Sequence, residues 1–94
     1  MTNGPEYDRT MARLYESRRK TRIELGDKYE ESIADCRAGL RKLVLSRGYL
    51  VLDAMGVFRD ALEEKRAAGC DTTHAAKLLI AAAVEEMGLT EVVQ

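Results

Sequence analysis

Leu25-Gly26-Asp27-Lys28-Tyr29-Glu30 is the stretch on which the fold turns. It can be read in two ways. As a break, Gly26 ends one helix and Asp27 begins another, with Asp27 and Glu30 spaced as in a capping box. As a helix interior, it is one weak link in a longer element. Tyr7, Met11, Leu14, Arg18, Arg22, Leu25, Tyr29, Ile33, Cys36, Leu40 and Leu43 recur at steps of three and four on both sides of Gly26. The stripe keeps its phase through the glycine, and two independent helices have no reason to share a phase. The sequence therefore predicts one long helix, roughly residues 6–46, with Gly26 as the point where it would break. At ~1.5 Å per residue such a helix is on the order of 60 Å long.

Working outward, Pro5 suits a first helical turn, where its missing N–H costs nothing. Glu6 and Asp8 then suit the positive end of the helix dipole. On the other side, Ser46-Arg47-Gly48 is a stop signal, a basic residue followed by glycine for a left-handed cap. A rival reading makes Lys42 to Leu52 a β-hairpin around that turn. It is disfavoured because both strands would be apolar on both faces and would find no further sheet. Leu50, Ala54, Val57, Phe58, Ala61 and Leu62 give instead a helical face, and a second helix is expected over roughly 49–67. Ala68-Gly69-Cys70 ends it, and Asp71-Thr72-Thr73 offers an N-cap for a third helix, roughly 72–87. That helix is apolar nearly all round, which places it at a centre or in an interface. Gly39 and Gly56 fall inside the expected helices, where each costs about 1 kcal/mol relative to alanine. Each is expected to allow another helix to cross closely.

The fold class is thus all-α, a single domain over 1–94 with short tails at 1–5 and 89–94. Its supply of large apolar side chains is light. Of the 94 residues 46% are hydrophobic, but 12 are alanine, against 11 leucines and one phenylalanine. A core so small is usually marginal, and dimerisation is expected to complete the bundle. Residues 16–22, Glu-Ser-Arg-Arg-Lys-Thr-Arg, are polar all round, so the N-terminal half is expected to project. Tyr7, Met11, Leu14, Leu79 and Ala83 are the expected self-association residues.

Charge is polarised rather than absent. The formal net charge is −1, yet residues 1–47 carry +3 and residues 48–94 carry −4. Such a molecule suits oriented docking better than generic coating of nucleic acid. Arg18, Arg19, Lys20 and Arg22, with Tyr15 beside them, form the expected partner-binding segment. Its cations fit carboxylates or phosphates. The expected partner is a protein with an acidic surface, with nucleic acid as the alternative. The would-be recognition helix of a helix-turn-helix, by contrast, carries Lys77 as its one basic residue and is otherwise Ala and Leu.

No catalytic constellation emerges. Cys36, Cys70, His74 and Asp71 are the only candidate ligand or nucleophile set, and no CxxC or HxxxH spacing supports a metal. The two cysteines are expected to be reduced thiols. The glycines form no phosphate-binding loop. Glu63-Glu64 and Glu85-Glu86 are adjacent pairs whose side chains diverge on a helix, unsuited to paired acid–base work. No cofactor and no metal are expected. The start of the chain has no basic segment leading an apolar run, as a signal peptide would, and no apolar run reaches the ~18 residues of a membrane span. A soluble, cytoplasmic protein is expected. In its short, helical, motif-poor profile the chain resembles small inhibitors and adaptors of bacterial or phage origin.

Overall fold

The computed structural model describes residues 5–88, with side chains from residue 9 onward. The described residues form four α-helices: α1 (Pro5–Leu25), α2 (Tyr29–Arg47), α3 (Val51–Ala67) and α4 (Thr73–Glu86). A single turn of 3-10 helix, Gly26–Lys28, joins α1 to α2. No strand occurs among the described residues, so Lys42 to Leu52 is helix, turn and helix rather than hairpin.

The continuous helix over 6–46 is not formed. Gly26 takes a φ of 57°, in the left-handed region, and the α-helical ladder ends at Leu25. The longest dimension of the molecule is 40 Å, too short for a straight helix of that length. The shared phase has another origin. Both α1 and α2 pack on α4, so both apolar stripes point at one common helix. Met11, Leu14, Arg18 and Thr21 on α1, and Tyr29, Ile33 and Leu40 on α2, are the buried positions that result.

α4 is the axle. α1, α2 and α3 all pack against it, while α1 and α2 meet each other only slightly. Ala81, Ala82, Ala83 and Val84 are four consecutive residues with no exposed surface, which requires neighbours all round. Alanines here let three helices approach one axis closely. The expectation of an apolar helix at the centre is met within a single chain. Met11, Leu14, Leu79 and Ala83, expected in self-association, are buried within the chain itself. Met11 and Leu14 lie in one cluster with Val84, and Leu79 and Ala83 in a second with Ile33, Leu40 and Ala54. Tyr7, named with them, lies outside the residues whose side chains are described.

The junctions follow local chemistry. Gly48 (φ 69°) closes α2 in the left-handed conformation, its N–H bonded to Val44 O at 3.0 Å. Asp71 makes an Asx-type turn leading into α4, its carboxylate accepting the Thr73 N–H at 3.0 Å, while the N-cap residue Thr72 makes no side-chain bond. Of the two helical glycines, only Gly39 allows a close approach. A Cβ there would sit 3.1 Å from Phe58 Cζ on α3, whereas one at Gly56 would meet nothing within 4 Å. The close crossing expected at Gly56 is therefore absent.

Candidate functional site

The polar segment of α1 does not project as a unit. Its residues divide between the body of the protein and the solvent. Arg18 points inward and is 7% exposed. Its Nε donates to Glu85 Oε2 on α4 at 2.8 Å, and its Nη2 reaches the same oxygen. Tyr29 on α2 donates its hydroxyl to that oxygen at 2.9 Å. The Arg18 guanidinium also lies 5.8 Å from the centre of the Tyr29 ring, in cation–π range. Burial pushes the Glu85 carboxyl up, but the Arg18 and Tyr29 hydrogen bonds outweigh it and hold the group below the usual carboxylate range. Burial and the neighbouring carboxylate push the Tyr29 phenol up to about 12.

Glu86 serves α2 in the same way. Arg41 forms a two-pronged pair with it, Nε to Oε1 at 3.0 Å and Nη2 to Oε2 at 2.8 Å. Arg37 Nε adds a bond to Oε2 at 2.6 Å. Arg41, then Arg37, hold the Glu86 carboxyl below its usual range against the opposing effect of burial. Adjacent acids that look redundant in sequence thus face two different helices. Among the described residues no buried side-chain nitrogen or oxygen lacks a partner.

Arg18, expected at the partner-binding face, is placed inward and bonded to Glu85. The α1 stripe had already placed it facing inward. Its counter-ion lies 67 residues away and is invisible to local reading. The other members of the segment stay outside. Arg19, Lys20 and Arg22 are exposed, and Tyr15 is half-buried against the Met11–Leu14 cluster. Arg19 bonds Glu16, whose carboxyl it holds low, and Lys20 stands 3.9 Å from the same residue.

Arg9, Arg13 and Lys20 share the outer face of α1, being separated by one and then two further turns of helix. Arg9 and Arg13 have no ion-pair partner among the described residues. On the same face Ile23 is 75% exposed, although it is a large aliphatic side chain. A groove of about 590 Å³ runs along one flank of this face, lined by Arg13, Glu16, Ser17, Lys20 and Lys77 among others. This strip, absent from the expected site apart from Lys20, follows from the spacing of Arg9, Arg13 and Lys20 along α1.

Cys36 is half-buried beside a cavity of about 290 Å³ formed with Gly39, Phe58, Leu62 and Leu79. Burial, then the Asp35 charge, pushes its thiol up, away from thiolate character. His74 and Asp71 do not line that cavity. Both cysteines are free, and Cys70 is exposed. Among the described residues no group of three or more His, Cys, Asp or Glu is placed to hold a metal. No helix among them is long and apolar enough to cross a membrane. Comparison with protein-family models, with curated proteins and with solved structures finds no match.

Proposed function

We propose that this chain is a small protein–protein interaction module, an inhibitor or adaptor, which docks on an acidic protein surface through the outer face of α1. One observation carries the reading: Ile23 stands 75% exposed on a face that also carries Arg13 and Lys20. An apolar anchor with a charged rim is the anatomy of an interface, the anchor supplying affinity and the rim orientation and encounter rate. Arg19 and Arg22 flank that face. Arg18 takes no part, since its charge is committed to Glu85. The proposal assigns no catalytic role and no cofactor.

The experiment is proximity cross-linking in the native host, followed by affinity measurement with the purified partner. Arg13→Glu/Lys20→Glu should weaken binding at least tenfold with the thermal melt unchanged, and Ile23→Ser should weaken it independently. Unchanged affinity in both variants would remove the α1 face from the site.

Nucleic acid is the second reading, favoured by the exposed cations at Arg9, Arg13, Arg19, Lys20 and Arg22. It predicts a log–log salt slope of about −0.9 per phosphate neutralised on B-DNA. It also predicts indifference to Ile23→Ser, because phosphates make no use of an isoleucine.

A further inference from the structure

The outer face of α3 is the acidic counterpart of the outer face of α1. Asp53, Asp60 and Glu64 lie along it, all exposed, with no ion-pair partner among the described residues. Val57, 39% exposed, stands between them. Just before the helix, Leu50 is 73% exposed. α3 is lightly held, with Ala54 its one buried residue. Within the chain α1 and α3 do not pair, so these faces do not satisfy each other.

Their spacings match in reverse. Arg9, Arg13 and Lys20 stand at steps of four and seven; Asp53, Asp60 and Glu64 stand at steps of seven and four. Each set spans eleven residues, about 16 Å of helix. Laid antiparallel, the two helices bring Arg9 level with Glu64, Arg13 with Asp60, and Lys20 with Asp53. The same register sets Ala12 level with Ala61, two small residues that allow close approach. It also sets Ile23 level with Leu50, joining two of the most exposed large apolar side chains of the molecule. Glu16, already bonded to Arg19, falls level with Val57 rather than with an acid.

We infer that α1 of one copy of this chain docks antiparallel on α3 of a second copy in this register, with three ion pairs flanking an Ile23–Leu50 contact. The inference rests on reading the α1 face as a docking face, and it names the acidic surface which that face takes. The unequal spacing favours the antiparallel register, since setting Arg9 level with Asp53 in a parallel alignment would put Arg13 beside Val57 and leave Asp60 without a cation at its level. Opposite charges speed encounter at low ionic strength and are screened as salt shortens the Debye length to about 3 Å at 1 M.

The test is sedimentation of the full chain at 50 mM and 1 M salt, with two charge-reversed variants, Arg13→Glu/Lys20→Glu and Asp53→Lys/Asp60→Lys. The wild type should associate at 50 mM salt and weaken at least tenfold at 1 M. Each variant alone should sediment as a monomer and keep the far-UV circular-dichroism spectrum of the folded chain. An equimolar mixture of the two should associate again, because each supplies the face the other has lost. For the register, Ile23→Cys and Leu50→Cys proteins, both carrying Cys70→Ser, should oxidise to a mixed disulfide on mixing. Ile23→Cys with Asp60→Cys, displaced by ten residues, should not. A wild type monomeric at 50 mM salt, or variants that fail to restore association, would overturn the second-copy pairing. If the α1 variant still lost an acidic host partner, the docking face would stand without it; if it lost nothing, both readings would fall.

Discussion

Arg18 on α1 and Glu85 on α4 are joined by a nearly buried ion pair that Tyr29 on α2 completes from the third side. Three helices thereby converge on one carboxylate oxygen. Removing one member of such a pair strands the other, a loss of about 3 kcal/mol or more. Glu85→Ala should therefore destabilise the fold by about 3 kcal/mol in chemical denaturation. Arg18→Met/Glu85→Leu should recover most of that loss, because neither charge is left behind. A double variant no better than Glu85→Ala would show that the pair acts through shape rather than charge.

The same cluster sets a pH window at each end. Tyr29 titrates at about 12 in the folded chain, above its ordinary value of about 10. Its neutral form is thus favoured by folding. The stabilisation is complete below about pH 10 and is lost as pH climbs through the folded value. Glu85 and Glu86 shift the other way, both lowered. Their contribution is present above about pH 4.3 and is lost as pH falls below it. Denaturation midpoints between pH 2 and 12 should show both declines; Tyr29→Phe should remove the alkaline one and, by taking a hydrogen bond from Glu85, shrink the acid one.

Gly26 is required for its conformation and not for space. Its φ is 57°, and a Cβ there would touch nothing within 4 Å. Gly26→Ala should cost about 1–2 kcal/mol, the penalty for an L residue in the left-handed region. Gly26→Asn should cost less, since asparagine tolerates that region better. Equal losses measured by thermal denaturation would place the cause elsewhere.

Gly39 and Gly56 should behave oppositely although both lie in helix interiors. Gly56→Ala meets open space and should stabilise by up to about 1 kcal/mol through helix propensity. At Gly39 the new methyl would press on Phe58, 3.1 Å away, and much of that gain should vanish. In a Phe58→Leu background Gly39→Ala should regain it, a coupling readable from a double-mutant cycle.

Local signals were legible where local chemistry decides. The α3 and α4 limits fall within two residues of those expected, and the Gly48 stop and the Asp71 turn are where turn chemistry puts them. The break at Gly26 was hidden because α1 and α2 serve the same central helix and so carry stripes in common phase. Arg18 was divided between two readings, inward by period and outward by charge. Period prevailed, because Glu85 supplies a counter-ion that no window of sequence around Arg18 contains. Likewise the cationic strip extends back to Arg9 and Arg13, but a run of adjacent basic residues drew attention to Arg18–Arg22 instead. Spacing along a helix, not adjacency in sequence, is what defines a face.

Placing the axle after the three helices it holds has a consequence for biosynthesis. While the ribosome has made only α1 to α3, Met11 and Leu14 lack the α4 residues they pack on, and much of the surface that hides Ile33 and Leu40 does not yet exist. The nascent chain carries these residues less covered until Ala81–Val84 are translated. Vulnerability to chaperone capture and to proteolysis is thus concentrated in the interval before α4 emerges.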